Sequence, residues 1–363
     1  MTAKPAKHDE LQALRELSAA LGADRLRTQG AGGNTSIKRD GILWIKASGT
    51  WLSDALARDI MTPVRLEPLL EAIAGGDPRA ATAVDFVDSA LNPGGLRPSI
   101  ETSFHAIIPA PIVVHIHCVH TIALAVRRDG EAIARERIRG LSDVVAVFAP
   151  YRKPGLPLAQ AIQERLTKDA NVFVLANHGL IVAGETVEET AARVARVCGA
   201  FAAPARMGPR ADLETLASLV EGTGYRLPHD PAAHGLALDP KSLMIASRGS
   251  LYPDHVVFLG PGLARGTIVR GRLEAPRFDP PPPMLALPGM GVAIHRSASR
   301  NAEAMALCLA DVAARTPEEA EVRPLTAAEE GELMNWEAET YRQSLAGDRG
   351  AKPDYPLKQK NNK

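Results

Sequence analysis

The stretch Val113-Val114-His115-Ile116-His117 decides how this chain is read. Its apolar, β-branched character predicts a buried strand. Side chains two apart on a strand share a face, so His115 and His117 point the same way. Two imidazoles on one face are a poor use of a core strand, but they make half of a tetrahedral metal site. A second apolar run, Val172-Phe173-Val174-Leu175, ends at Asn177-His178-Gly179. It brings a third imidazole to a strand end, where side chains from separate segments can converge. Arg97-Pro98-Ser99-Ile100-Glu101 predicts the start of a helix, with Ser99 as its N-cap and Glu101 in its first turn. Glu101 then offers a carboxylate as base or as an exchangeable fourth ligand. Three imidazoles with one position open would polarise a substrate oxygen and stabilise an enolate. Each residue also has a plainer reading, His178 as a hydrogen-bonded core histidine and Ser99 as only a cap. His105 and His120 fall off the strand alternation and read as structural or as groups that support the site from behind it.

Composition frames this chemistry. With 363 residues, 45% hydrophobic and 23% charged, the chain can bury a sizeable core and as a prior holds two domains. Lys+Arg and Asp+Glu both number 42, so no net charge favours nucleic acid or an anionic membrane surface. The three cysteines, Cys118, Cys198 and Cys308, are far apart and lack CxxC spacing, which fits a reducing, cytoplasmic setting. The segment from Met1 to Asp9 is polar and lacks the apolar core of a signal peptide. No apolar run approaches the ~18 residues of a membrane span. The tail from Leu357 reads as frayed.

Along the chain, Leu11, Leu14, Leu17 and Leu21 predict an amphipathic first helix. Gly30 to Asn34 form a glycine-rich turn, and strands follow around 35–38 and 42–47, joined by the hairpin dipeptide Asp40-Gly41. Residues 64–73 and 158–167 read as helices, and 142–150 contains a strand. Thr186-Val187-Glu188-Glu189 has the form of a capping box opening a helix to about Ala202. Beyond about Pro209 prolines concentrate, most densely at 280–283. Weaker strands are expected around 242–246, 256–259 and 284–287. Helices are expected over 301–314 and from a second capping box at Thr326 to about Leu345. The reading is an α/β chain with a catalytic domain over 1–213 and a smaller α/β domain over 214–363.

The turn Gly30-Ala31-Gly32-Gly33-Asn34-Thr35-Ser36 could form an anion-binding nest of N–H groups. No strand–turn–helix surrounds it, so it is not a dinucleotide fingerprint. A plain connecting loop accounts for it equally, as it does for Ala47-Ser48-Gly49-Thr50.

Taken together, Gly32-Gly33-Asn34-Thr35-Ser36-Ile37-Lys38, Ser48-Gly49, Arg97-Pro98-Ser99-Ile100-Glu101-Thr102, His115-Ile116-His117, Asn177-His178-Gly179-Leu180 and Gly184-Glu185-Thr186 resemble the class II aldolase/adducin family from about residue 10 to 203. The resemblance is closest to the aldolase portion of the bacterial bifunctional rhamnulose-phosphate aldolase/alcohol dehydrogenases. The segments 43–50 and Arg152-Lys153-Pro154-Gly155 are similar to that branch, as, more loosely, are Tyr252-Pro253-Asp254-His255 and the segment near Asn335-Trp336-Glu337.

The resemblance implies a fold and a set of roles. The fold would be a three-layer αβα sandwich around nine strands, commonly a homotetramer with active sites between subunits. His115, His117 and His178 would hold zinc, or manganese or cobalt in its place. Glu101 would be the catalytic carboxylate, and Asn34, Ser48, Gly49 and Ser99 would line a pocket for the substrate's anionic end. Tyr151 stands near the place of a proton donor contributed by a neighbouring subunit; a surface tyrosine at a proline turn is the equal alternative. The implied activity is cleavage of a ketose or ketose phosphate through a metal-stabilised enediolate, in carbohydrate metabolism. Related metal chemistry would serve a decarboxylase, dehydratase or epimerase on a sugar-acid-like substrate. The same fold without metal ligands serves as an adducin-like binding module. Some phosphate-using members carry a second serine before the glutamate, where this chain has Ile100. Lys38, Lys46, Arg97 and Arg152 are candidates for a compensating base, and His255 is either structural or a further pocket residue. Because imidazole ligands must be neutral, activity is expected to fall below about pH 6.

Overall fold

The computed structural model describes residues 7–335 and divides into two compact units, one ending at Ala203 and the other beginning at Pro204. The expected boundary after 213 falls inside the second unit, at the start of one of its helices. The segments expected near Trp336, at the end of the last helix and in the tail from Leu357 lie outside the described residues.

The first unit is built on a seven-stranded sheet. Its strands are β1 (Asn34–Arg39), β2 (Ile42–Lys46), β3 (Met61–Arg65), β4 (Ile112–Ile116), β5 (Ala146–Ala149), β6 (Val172–Leu175) and β7 (Gly179–Gly184). Their order is β3-β2-β1-β4-β7-β6-β5, and only β5 and β6 run parallel. Helices α1 (Lys7–Ala23), α2 (Leu66–Ala74), α3 (Thr102–Ile107), α4 (Val119–Ala125), α5 (Gly130–Ile138), α6 (Leu156–Gln163) and α7 (Val187–Ala200) cover it. Strand alternation sorts the core into two layers. Ile112, Val114 and Ile116 pack with Leu14 of α1, Leu124 of α4, Ile138 of α5 and Val194 of α7. Val113 packs with Phe104 of α3 and Leu158 and Ile162 of α6. Leu43, Ile45 and Val64 pack against Leu69 and Ile73 of α2. This is the three-layer sandwich, and His115 shares the face of Val113, toward α3.

Several sequence expectations need correction. The sheet has seven strands among the described residues, not nine. Segment 87–98 touches the sheet only through single bridges, Val64 to Val87 and Ala47 to Pro98; Pro93, Gly94 and Gly95 between them cannot sustain a ladder. Residues 61–65, read partly as helix, form β3, an edge strand that accommodates Pro63. Helix α3 begins at Thr102 with Glu101 in the cap position, so Ser99 is not its N-cap. The serine instead makes the preceding turn, its carbonyl accepting from Thr102 N–H at 3.1 Å and Thr102 Oγ1 at 2.6 Å. The box at Thr186 is half formed: Thr186 Oγ1 accepts from Glu189 N–H, while Glu189 accepts from Glu185 N–H.

The second unit contains α8 (Leu213–Val220), β8 (Tyr225–Arg226), α9 (Gly235–Leu238), α10 (Pro240–Ala246), α11 (Pro253–Leu259), β9 (Thr267–Val269), β10 (Arg272–Glu274), β11 (Met284–Leu287), β12 (Gly291–His295), α12 (Arg300–Arg315) and α13 (Ala327–Met334). Strands β11, β12 and β8 form one sheet and β9 pairs with β10 in another. The segments 242–246 and 256–259, expected as strands, lie in α10 and α11. Asp239 caps the backbone N–H groups of Lys241 and Ser242 with Pro240 at the first helical position, and Pro253 opens α11 in the same way. The box at Thr326 is complete. Among the described residues, no helix is long and apolar enough to cross a membrane.

Candidate metal centre

The sheet register assembles the site. Asn34 on β1 pairs with His115 on β4, and His115 pairs with Ile181 on β7. Strand β4 therefore carries His115 between two neighbours, with His117 just past its end. The tight turn from β6 to β7 returns His178 beside them, with Asn177 in the left-handed region at φ 54°. All three imidazoles are buried, and their ligand nitrogens lie within 4.8 Å of one another. Ring centroids are 4.9, 5.0 and 5.1 Å apart, with steep angles between the ring planes. Gly179 makes this packing possible. A Cβ there would stand 2.5 Å from the Ile116 carbonyl oxygen and 3.4 Å from both His115 and His117 rings.

Glu101 closes the cluster from the α3 side. Its Oε2 lies 3.4 Å from His115 Nε2 and its Oε1 3.4 Å from His178 Nε2. Asn34 Nδ2 donates to Glu101 Oε2 at 2.8 Å and to Ser99 Oγ at 3.1 Å. Glu101 Oε1 is buried and accepts no hydrogen bond. Burial by itself would raise the Glu101 carboxyl, but His115, His178 and His117 together with Asn34 hold it down to about 2. Burial pushes His115 down to about 3 against the pull of Glu101. Burial thus favours the neutral imidazole that metal binding requires, because these surroundings are drier than those of a free imidazole.

The donor set fits a divalent cation. His115 Nδ1 lies 3.1 Å from the Leu180 carbonyl. Donation there leaves a bare Nε2 lone pair facing the cluster. His115 Nε2 and His117 Nε2 are 3.1 Å apart. Two nitrogens bound at about 2.05 Å in a tetrahedron stand roughly 3.3 Å apart, close to that spacing. The Glu101 Oε1 without a hydrogen bond adds an acceptor aimed at the same point.

The loops expected to line the pocket are zipped together. Ser48 N–H donates to the Arg97 carbonyl at 2.9 Å and Ser99 N–H to that of Lys46 at 3.2 Å. Gly49 turns at φ 75°. Ser99 thus sits between Asn34 and the Ser48-Gly49 loop. Lys46 is buried, and its Nζ donates to the carbonyls of Ala31 at 2.9 Å and Thr50 at 2.7 Å, joining the glycine turn to this loop. Lys38 donates to the carbonyls of Ile108 and Ala110, and Arg152 to that of Tyr151.

Tyr151 is buried two residues past the end of β5. Ala149 of β5 pairs with Leu175 and its carbonyl accepts from Ala176 N–H, so the chain leaves β5 alongside the β6–β7 turn that carries His178. His120 caps Ala203 N–H. His255 accepts from Leu251 N–H and bonds the Gly262 carbonyl inside the second unit, which uses both its nitrogens structurally. Sequence reasoning missed the spatial role of Gly179, whose only signal was its position after His178. Of the two readings of His105, structural or supporting the site from behind, the second fits its direct contact with Asn34.

A mixed sheet carrying three buried imidazoles and a carboxylate defines an α/β protein with a metal-type centre. The model of the Class II Aldolase and Adducin N-terminal domain matches residues 12–202, and the chain belongs to that family. It is 30% identical over 183 residues to the uncharacterized oxidoreductase YuxG of Bacillus subtilis (strain 168), an alignment covering 47% of this chain and 26% of that protein. The chain thus spans about a quarter of that relative's length. The N-terminal class II aldolase domain of a conserved protein from Thermoplasma acidophilum is 27% identical, covering 55% of this chain and 94% of that one, with a TM-score of 0.45. For the L-fuculose-1-phosphate aldolase from Thermus thermophilus the values are 17%, 54%, 93% and 0.36.

Proposed function

We propose that this protein is a divalent-metal-dependent aldolase, with zinc the preferred ion, that cleaves a ketose or ketose phosphate. The observation that carries this reading is the Glu101 carboxylate, held 3.4 Å from two of three buried imidazoles with one oxygen hydrogen-bonded and the other not. His115, His117 and His178 would hold the cation. When bound, it would polarise the substrate carbonyl and offset the charge that develops as the carbon–carbon bond breaks. Glu101 Oε1 would take and return the proton at the carbon that becomes nucleophilic. Ser48, Gly49 and Ser99 would bind the substrate's anionic end through hydroxyl and N–H donors, while Asn34, whose two amide hydrogens go to Glu101 and Ser99, would act there by holding Ser99. The buried ammonium of Lys46 holds two of their loops together. Tyr151 would serve the departing aldehyde oxygen as a proton donor contributed by a neighbouring copy of the chain, in an oligomer proposed as a tetramer.

The test separates metal from base. His117→Ala is expected to abolish metal retention. Glu101→Gln keeps the shape and the Asn34 contact but removes the base, and is expected to lower turnover of a ketose-phosphate panel by at least about 100-fold while retaining metal. Unchanged turnover in Glu101→Gln would remove the assigned base. Release of CO2 from 3-oxo acids without aldehyde release from ketoses would replace the aldolase with a decarboxylase on the same site.

A further inference from the structure

Behind Glu101 runs a buried chain of polar groups: Asn34, His105 and Ser36. Asn34 and Ser36 are two residues apart on β1 and so face the same side. His105 lies on α3, its ring stacked on Phe104 at 4.8 Å. His105 Nε2 contacts Asn34 Oδ1, and Ser36 Oγ lies 2.7 Å from His105 Nδ1.

The direction of every bond in this chain follows from its end. A carboxylate only accepts, so the Asn34 group 2.8 Å from Glu101 Oε2 is the amide nitrogen. Asn34 Oδ1 is thereby turned to His105 Nε2, which must carry the proton. His105 Nδ1 is left as a lone pair, so the Ser36 hydroxyl must donate to it. Reversing any member would set two donors or two acceptors against each other in a buried site, at the cost of an unsatisfied group.

We infer that His105 is a positioning residue for the proton-transfer carboxylate: its Nε2–H locks the Asn34 amide, which pins Glu101 Oε2 and leaves Oε1 as the working oxygen. The choice of Oε1 rests on the reading of Glu101 as base; the tautomer and the amide orientation do not. Phe104 touches both rings, stacking on His105 and meeting His115 edge-on at 5.4 Å. The imidazole that orients the base is thus kept in register with the one that would hold the ion.

Two measurements on the full chain test this. In 15N-histidine-labelled protein, the His105 ring, identified by its loss in His105→Gln, is expected as the Nε2–H tautomer, with its Nδ1 resonance displaced by Ser36→Ala. An Nδ1–H tautomer overturns the inference whatever reaction the protein catalyses. In turnover, His105→Leu removes the donor and is expected to lower kcat on the order of 10–100-fold, with KM and retained metal within about twofold. His105→Gln places an amide N–H at the same distance along the side chain and is expected to restore kcat to within about threefold of wild type. Equal losses in the two variants, or loss of metal in step with kcat, reduce His105 to a core residue and refute the assignment. If the wild type cleaves no ketose, the aldolase reading fails while the tautomer result still decides the relay.

Discussion

Gly179→Ala tests how closely β7 must approach β4 for the histidines to converge. The added Cβ would stand 2.5 Å from the Ile116 carbonyl oxygen, where an unstrained C···O contact needs about 3.3 Å. The strands must therefore part locally by about 0.8 Å. Ile116 pairs with Leu180, so the displacement is centred one residue from His117 and one from His178. The backbone torsion at Gly179 is an ordinary one, so the cost is one of space alone. Overpacking of this kind in a buried sheet is worth about 1–3 kcal/mol. The same shift moves His178 away from His115 and His117, by about a quarter of the roughly 3.3 Å that separates ligand nitrogens in a tetrahedral site. Metal affinity is accordingly expected to fall on the order of 10–100-fold. Urea denaturation with chelator present reads the first effect, and competition against a chromophoric chelator reads the second. A variant within about 0.5 kcal/mol of wild type and with unchanged metal affinity would refute the close-approach argument.

Two further outcomes probe the scaffold away from the site. Gly199 is exposed in α7 with nothing within 4 Å of its missing Cβ, so Gly199→Ala should stabilise the protein by about 0.5–1 kcal/mol in the same denaturation assay. Burial would raise the Glu303 carboxyl, but Arg226 at 2.7 Å and the His229 N–H at 2.6 Å bring it down to about 2. A depressed carboxyl contributes stability above its unfolded value of about 4.5 and loses it as pH falls toward about 2. Between about pH 6 and about pH 3, wild type should lose on the order of 1 kcal/mol more than Glu303→Gln after allowance for solvent screening, as read by denaturation midpoints.

The elements legible in the sequence were those whose local chemistry and tertiary setting agree. The leucine spacing of α1, the Asp40-Gly41 hairpin and the β-branched run of β4 each specify their structure within a few residues. The strand β7 was hidden because glycines bound it at both ends and resemble turn signals; instead Gly179 lets β7 approach β4, and Gly184 leaves room for Thr190 and Arg193 of α7. Helices α10 and α11 were misread because short apolar runs suit either structure, and the deciding signals were Asp239-Pro240 and Pro253 just upstream. At the site, the parity of His115 and His117 was readable from two-residue alternation. The convergence of Glu101 is a matter of register, since it depends on β1 lying beside β4 and on the Ala47–Pro98 bridge that delivers Ser99. No local pattern encodes that neighbourhood, nor the turn of Asn34 toward Glu101 that His105 secures.

The central claim is that His115, His117 and His178 form one metal site. Metal content per chain, measured by plasma mass spectrometry after loading with zinc, manganese or cobalt and exhaustive dialysis, tests it most directly. About one divalent ion per chain should be retained by the wild type and by Glu101→Gln, and almost none by His115→Ala, His117→Ala or His178→Ala. A wild type that retains no ion, or histidine variants that retain it fully, would contradict the claim.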